Sequence, residues 1–322
     1  MERYRIQVKG SMQGKRLDLA IVAANIGLSR RKARRIIDLG GSYINRKRVR
    51  VASRPVEFGD IIELEYNPQA YQQLKKADIH LSAEDIIYEG HDFLAVNKPP
   101  GLPSQATKTQ AVFHVVAQLK KVLEAQGKKH SKLQLAHRLD KETSGVLILA
   151  NRAEAMTWVS DQFRQRQIEK TYHAISYGLS KLDQFSVACQ LSAIQPETGI
   201  VKVVNRGGKE SVTHFKVLKR FPEWNLTLFQ CQPITGRSHQ IRVHLAHRGF
   251  PIVGDKVYGQ EKHKELPDEV QSIITQHHML HCSAMQFVPA PAADQVRIHA
   301  DYPPQFKELL LRLGHLDITK EL

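Results

Sequence analysis

The first part of the chain has a pattern of apolar and polar positions that predicts two short helices. Apolar residues at helical spacing begin over residues 16–22, where Leu, Leu, Ile and Val recur. Ser29 is a suitable N-cap for a second helix over residues 30–38, because its hydroxyl can accept from a free backbone N–H. The Gly-Gly pair at 40–41 is expected to end that helix.

Short strand patterns follow these helices. Residues 42–45 and 61–64 are typical of strands, and the Gly-Asp pair at 59–60 is the expected turn between them. Together with the helices they predict a small αβ domain over residues 13–68.

Strand patterns predominate after a polar stretch over residues 69–84, which we interpret as a linker. Residues 86–88 and 93–96 flank a polar turn and predict a hairpin. Four further strands are predicted, at residues 171–177, 201–204, 212–218 and 225–231.

Helical patterns interrupt these strands at irregular intervals. The predicted helices cover residues 111–123, 153–165, a segment capped by Ser238 that runs to 247, and 304–313. This mixture favours an α+β fold, in which a mixed, largely antiparallel sheet is flanked by helices, over a doubly wound one. The larger domain is therefore predicted over residues 85–322.

A polar segment lies directly before a run of branched apolar residues at 146–150, which is typical of a buried strand. In extended backbone, Arg138 and Asp140 point to one side, while His137 and Leu139 point to the other. A carboxylate on a loop that a rigid strand supports is a common basis for a reactive site. The alternative is that Asp140 caps a turn and Arg138 is a solvated surface charge.

The charge of the chain favours a polyanionic partner. Lys and Arg number 47 against 32 Asp and Glu, a formal net charge of +15. The predicted phosphate contacts, all within residues 30–50, are Arg30, Arg31, Lys32, Arg34, Arg35, Arg46, Lys47 and Arg48. On a helix, Arg31, Arg34 and Arg35 share one face. Binding through such a cluster should depend strongly on salt, and a merely solvated face is the alternative.

Other classes of protein have little support in the sequence. Three widely spaced cysteines suit neither a disulfide framework nor a zinc ribbon, and no apolar run is long enough for a membrane span. We therefore expect a reduced, cytoplasmic protein. Sixteen histidines suggest a metal hydrolase, but His244 and His247 have no acidic partner at ligand spacing. No G-x-G-x-x-G follows a strand, which argues against a dinucleotide enzyme. We therefore expect neither a metal nor a cofactor.

Residues 137–145 read His-Arg-Leu-Asp, two variable residues, then Thr-Ser-Gly, and they resemble the signature of the RluA-type family of RNA pseudouridine synthases. The resemblance implies that Asp140 is the catalytic carboxylate. Residues 236–242, Gly-Arg-Ser-His-Gln-Ile-Arg, resemble a second motif of the family. It implies that Arg242 pairs with Asp140.

The same resemblance implies roles for further residues. Arg138 would enter the base stack, and Tyr172, in a Lys-x-Tyr motif, would lie against the flipped uracil. The remaining substrate-binding residues would be Lys170, His137 and Thr143. The segments 97–103 and 249–255 also match and are interpreted as mainly structural. Ser211 departs from the family pattern, in which an alanine is usual at this position. This difference affects packing and leaves the chemistry intact.

The N-terminal unit resembles an S4 RNA-binding domain, in Arg16-Leu17-Asp18, Ser29-Arg30, Gly41 and Gly59-Asp60. Together the two resemblances imply an RNA pseudouridine synthase, an isomerase acting on large-subunit (23S) ribosomal RNA. We also expect a monomer. Transfer RNA is the alternative substrate, and a non-catalytic RNA-binding protein is the rival function. Whether the aspartate attacks C1′ or removes a sugar proton stays open.

Overall fold

The computed structural model describes nearly all of the chain as two compact units, one up to residue 66 and one from residue 79, with Gln195–Ile200 grouped with the first. The described residues are 2–38, 40–66, 79–106, 113–128, 132–195, 198–259, 261–262, 266–274 and 277–314.

The N-terminal unit packs two helices on a four-stranded antiparallel sheet. Its elements are β1 (Glu2–Gln7), α1 (Leu17–Ala23), α2 (Arg30–Asp38), β2 (Ser42–Ile44), β3 (Lys47–Arg48) and β4 (Ile61–Tyr66). The strand order is β1-β4-β2-β3. Its core is aliphatic: Leu17, Ile21, Ile36, Ile37, Ile62 and Leu64 are fully buried.

Both predicted helices of this unit are confirmed. The Ser29 hydroxyl accepts from the Lys32 N–H at 3.3 Å, and Gly40 ends α2 in the left-handed region, at φ +76°. Two strands were not predicted. β1 lies before residue 13 and pairs along β4, while β3 follows directly on β2.

The turn predicted between β2 and β4 is present, but it does not join these two strands directly. The chain first returns along β2 as β3, because Asn45 and Arg46 adopt positive φ angles of 51° and 65°. Two such residues form the tight turn that suits the right-handed twist of a hairpin. The Gly59-Asp60 turn comes only afterwards, directly before β4.

The larger unit is built on one sheet, which within the described residues has eleven strands. They are β5 (Ile86–Glu89), β6 (Phe93–Lys98), β7 (Gln134–Leu135), β8 (Ser144–Ala150), β9 (Glu169–Tyr177), β10 (Gln184–Leu191), β11 (Val203–Val204), β12 (Lys209–Phe221), β13 (Leu226–Pro233), β14 (Leu280–Phe287) and β15 (Val296–His299). The order is β11-β10-β12-β13-β9-β14-β8-β6-β5, with β7 on β8 and β15 on β14. Only β8 and β14 pair in parallel, so the predicted α+β class with a largely antiparallel sheet is confirmed.

Five helices accompany this sheet in the part of the chain that the structure describes. They are α3 (Val115–Ala125), α4 (Ala153–Arg164), α5 (Gln240–His247), α6 (Asp268–Ile273) and α7 (Pro304–Arg312). None of the helices described is long and apolar enough to cross a membrane.

Two predicted helix starts are wrong. α3 begins at Val115 and not at 111, because the His114 ring accepts from the Ala117 N–H at 3.4 Å as an N-cap; residues 111–112 lie outside the described residues. α5 is not capped by Ser238. The residue before it is His239, which has a left-handed φ of 56° and makes no side-chain cap.

Strand β8 positions the segment that precedes it. All seven of its residues are buried, and its register with β14 places Gly145 against Cys282. Gly145 has φ +108°, and a Cβ there would lie 2.1 Å from the Cys282 carbonyl oxygen. Only glycine allows this approach, so the Thr-Ser-Gly sequence fixes where the preceding loop leaves the sheet.

Candidate active site

The loop that carries Asp140 is held by the segment that follows β6. The Ser104 hydroxyl donates to the Leu139 carbonyl at 2.8 Å and accepts from the Leu139 N–H at 3.2 Å. On the other side of Asp140, the Lys141 carbonyl accepts from the Gly101 N–H and from the Lys98 Nζ, at 2.8 and 2.9 Å. Asp140 therefore lies between two clamped backbone positions.

The side chains of this loop alternate as the sequence predicts. The His137 Nε2 accepts from the Ile148 N–H at 3.1 Å, and Leu139 is buried in the core. Arg138 is exposed, and the Asp140 side chain keeps 30% of its surface accessible. Burial lowers the pKa of His137 to about 3, so its ring is neutral and can accept this bond.

Arg242, in the first turn of α5, joins two carboxylates. Its Nη1 donates to Asp140 Oδ2 at 3.0 Å, while Nε and Nη2 donate to the two oxygens of Asp255 at 2.7 and 2.9 Å. Burial by itself lowers the pKa of Arg242, but Asp255 and then Asp140 outweigh it and raise that pKa. The guanidinium is therefore a fixed charge in a site where it is only 7% exposed.

Asp140 is ionised in this arrangement. Burial favours the neutral acid, but the charge of Arg242, with smaller contributions from His239 and His278, lowers the pKa of Asp140 below its usual value. The His239 Nε2 lies 3.8 Å from Asp140 Oδ2. A partly buried carboxylate kept charged by one fixed cation is suited to attack carbon or to take a proton.

A cavity of about 850 Å³ opens in front of this pair, within the size range of small-molecule sites. All seven residues predicted for catalysis and substrate binding line it: Asp140, Arg242, Tyr172, Arg138, Lys170, His137 and Thr143. Lys170 and Tyr172 point the same way because they are two residues apart in β9. The structure thus brings together residues that are up to 105 positions apart in the sequence, from 137 to 242.

Thr143 and His137 also have their polar atoms engaged in the protein. The Thr143 hydroxyl bonds the His278 Nε2 at 2.8 Å, and His137 accepts from β8. Their geometry suits support of the Asp140 loop better than contact with a substrate. Tyr172 is 9% exposed and is paired with Cys282 in the register of β9 with β14, so its ring is held in place.

The predicted phosphate-binding cluster lies in the N-terminal unit and contains a counter-charge that the sequence analysis missed. Asp18 is fully buried, and both Arg16 and Arg30 reach it at 3.0 Å, with Arg34 at 3.7 Å. Arg46, Lys47 and Arg48 are exposed in the β2–β3 hairpin. The side chains of Arg31 and Arg35 lie outside the described part of the chain.

Asp255 and Gln240 were not predicted as functional residues. Asp255 belongs to the 249–255 segment, and only its Gly-Asp ending distinguished it in the sequence. The Gln240 carboxamide ties the start of α5 to β12: its nitrogen donates to the Val212 carbonyl and the Thr213 hydroxyl, at 3.0 and 2.9 Å. It therefore fixes the turn from which Arg242 projects.

No three His, Cys, Asp or Glu side chains within the described residues are arranged to hold a metal ion.

Comparison with known proteins identifies the family of the chain. The family model of the RNA pseudouridylate synthases matches residues 92–247, and that of the S4 domain matches residues 15–62. A solved human structure, RNA pseudouridylate synthase domain containing 4, is 27% identical with a TM-score of 0.58 over 77% of this chain and 98% of its own. The fold and both motif-bearing regions are thus shared with known proteins.

Two curated relatives extend the similarity along the chain. The Rickettsia bellii (strain RML369-C) protein named ribosomal large subunit pseudouridine synthase C is 35% identical over 68% of this chain and 74% of its own. An RNA pseudouridine synthase of Aquifex aeolicus (strain VF5), named as uncharacterized, is 30% identical over 94% of this chain and 95% of its own. Since that likeness spans both units and the Asp140–Arg242 cavity, the chain belongs to the RNA pseudouridylate synthase family and is a pseudouridine synthase.

Proposed function

We propose that this enzyme converts uridine to pseudouridine in large-subunit ribosomal RNA, with Asp140 as its catalytic carboxylate. The observation that carries the proposal is the bond of 3.0 Å between Asp140 and Arg242 in a cavity that Tyr172 lines. The reaction is an isomerisation, so the site must supply a charge at the sugar, a pocket for the base and a way to extrude it.

The atoms of the reaction balance without a co-reactant. The N1–C1′ bond of the uridine breaks, the base turns, and a C5–C1′ bond forms. C5 loses its proton and N1 gains one. Asp140 could attack C1′ or remove a sugar proton, and both routes need the ionised carboxylate that Arg242 favours.

Extrusion of the base is assigned to Arg138 and Tyr172. Taking a base out of a stack costs a few kcal/mol, and Arg138, exposed at the cavity, has a planar guanidinium that can fill the vacated place. Stacking of the uracil on the Tyr172 ring would return about 1–3 kcal/mol. Lys170, whose pKa is lowered by burial, lies on the same side of β9 and would act on the charge of the bound nucleotide.

The choice of RNA rests on the N-terminal unit and on the relatives. The basic residues of that unit supply phosphate contacts, and several relatives bear the name of large-subunit ribosomal enzymes. An enzyme of ribosomal RNA works where ribosomes assemble, so we place this one in the cytoplasm. We also propose that it acts as a monomer.

Tritium release from RNA labelled at C5 of uridine tests the proposal, because C5 loses its proton in the reaction. The native protein should release tritium from large-subunit RNA, and Asp140→Asn should lower the rate by at least about 10³-fold. Asp183→Asn, which breaks an exposed pair with Arg220, is the control and should behave as native.

Each outcome has a clear meaning. Release from transfer RNA alone would replace the proposed substrate. Native release by Asp140→Asn would overturn the proposed role of Asp140.

A further inference from the structure

We propose that Asp255 is a positioning residue for the reaction: it occupies the two-pronged edge of Arg242 and thereby leaves one oxygen of Asp140 free to react. This inference rests on the proposed roles of Asp140 and Arg242. It concerns a residue that touches neither the substrate nor Asp140 and acts only through the guanidinium between them.

The hydrogen-bond donors of Arg242 are divided unequally between Asp255 and Asp140. A guanidinium presents its best edge, two parallel N–H groups, to a single carboxylate. Asp255 takes that edge through Nε and Nη2, at 2.7 and 2.9 Å. Asp140 receives only Nη1, at 3.0 Å, on its Oδ2.

The other oxygen of Asp140 differs from the one that Arg242 contacts. Oδ1 has no hydrogen-bond partner among the residues that the structure describes, and the carboxylate is 30% exposed toward the cavity. An oxygen without donors keeps its lone pairs free for attack or proton transfer, although Arg242 lowers the basicity of the carboxylate as a whole. A two-pronged Arg242–Asp140 pair would remove that freedom.

Asp255 itself is held in place by its surroundings. Its side chain is fully buried, and its Oδ1 also accepts from the backbone N–H groups of Val257 and Tyr258, at 2.9 and 3.1 Å. The Tyr258 ring lies 5.1 Å from the Arg242 guanidinium carbon. Asp255 thus restrains Arg242 by charge and by hydrogen bonds, and the turn that follows it adds a ring contact from Tyr258.

Without Asp255, Asp140 is the one carboxylate among the described residues that contacts Arg242. The buried guanidinium is then drawn to both of its oxygens, since a buried charge without partners is costly. The carboxylate stays ionised but presents the wrong oxygen at the wrong angle. A misplacement of about 1 Å costs about 100-fold in rate, and binding of RNA should be unaffected.

The test is a double-mutant cycle in single-turnover tritium release from large-subunit RNA. Asp255→Asn should lower the rate about 100-fold with an unchanged KM, and Arg242→Gln about 10³-fold. Because Asp255 acts through Arg242, the double variant should match Arg242→Gln alone rather than lose a further 100-fold. Asp255→Glu, which keeps the charge, should recover part of the rate.

A control and a folding check accompany the cycle. Asp92→Asn breaks a surface pair in which Arg152 donates at 2.8 Å, and it should keep the native rate. Circular dichroism at the assay temperature checks that each variant is folded. Should Asp255→Asn fail to fold, Asp255→Glu and its double variant with Arg242→Gln complete the same cycle.

The outcomes separate this proposal from the one it rests on. Additive losses in the double variant would show a merely structural role and overturn the positioning role, as would a native rate for Asp255→Asn. Activity of Asp140→Asn in the same assay would instead overturn the proposed chemistry, and the positioning role with it. Non-additive losses with an inactive Asp140→Asn support both.

Discussion

In the N-terminal unit one buried carboxylate serves several arginines, whereas in the active site one buried arginine serves two carboxylates. Asp18 is reached by Arg16, Arg30 and Arg34, which keep 30 to 45% of their side-chain surface exposed. Arg242 is 7% exposed and lies between Asp140 and Asp255. The same ion pair is thus used with opposite stoichiometry.

The two regions differ because each leaves a different charge uncompensated: positive charge in the N-terminal unit and negative charge in the active site. Three arginines around one carboxylate leave positive charge at the surface, where it can neutralise phosphates. One arginine between two carboxylates leaves negative charge in a cavity, where water screens little and a carboxylate stays reactive. In both regions the shared partner is the buried one, because a buried ion holds its geometry.

The same substitution in both regions should break this comparison most visibly. Arg242→Lys keeps the charge but loses the planar fork, so it cannot serve two carboxylates at once. We expect kcat to fall by about 100-fold or more while RNA affinity is retained. Single-turnover rates at saturating enzyme measure this, and a rate within threefold of native would show that charge alone suffices.

Acid unfolding should reveal how strongly Asp255 depends on Arg242. Burial opposes its ionisation, but the Arg242 hydrogen bonds and charge lower the pKa of Asp255 from 3.8 to about 2. Its lowered pKa stabilises the fold above about pH 4, and this contribution is lost as pH falls through about 2. The loss should amount to about 2 kcal/mol in the free energy of unfolding.

Urea unfolding at pH 5 and pH 2.5 measures this effect. Trp158 and Trp224, both in the larger unit, report on it by fluorescence. The decline with acid should be shallower in Asp255→Asn than in the native chain, because the variant has no carboxylate to protonate. Equal slopes would contradict the assignment.

Asp18→Asn should destabilise the N-terminal unit and leave the chemistry almost intact. Removing a fully buried acceptor of charged hydrogen bonds costs about 2 kcal/mol, and the arginines around it then repel one another. Hydrogen exchange of the α1 and α2 amides measures the loss. Amides in α3 to α5 serve as the internal control and should keep native protection.

The smallest expected effect, on RNA binding, is that of replacing Arg34. Arg34→Ala should weaken RNA binding a few-fold and reduce the salt slope of log K by at most about 0.9, the contribution of one phosphate. Arg34→Lys should restore both, in contrast to Arg242→Lys. Binding titrations between 50 and 200 mM salt test this, and an unchanged slope for Arg34→Ala would remove Arg34 from the RNA contacts.

The predicted elements succeeded where the pattern is local. α1, α2, α4 and α7, and the β5–β6 hairpin, follow from periodicity and end signals. β14 escaped prediction because it is almost wholly buried and contains His, Cys, Ser and Met rather than β-branched residues, so neither alternation nor propensity marks it. The start of α5 was misplaced because His239, and not Ser238, is the residue directly before the helix, and it adopts a left-handed conformation.

The candidate site was predictable as a set of residues but not as an arrangement. The motifs around Asp140, Tyr172 and Arg242 identified the lining of the cavity, and Arg138 with Asp140 faced outward as expected. The polar atoms of Thr143 and His137 are engaged by His278 and by the Ile148 N–H, which favours support of the Asp140 loop over contact with a substrate; their predicted role in substrate binding stays a prediction. The domain boundaries and the RNA contacts stay predictions.

Taken by itself, the sequence determined the class of the protein, its helices and hairpins, its basic N-terminal segment and the motifs that carry the chemistry. Those features depend on neighbours within a few residues, where period, caps and turn residues act. The tertiary structure alone decided that Arg242 is shared with Asp255, that Asp18 gathers its arginines, and that Gly145 lies against Cys282. Each of these depends on distances of a few ångströms between elements far apart in the chain, which only packing of the whole sheet sets.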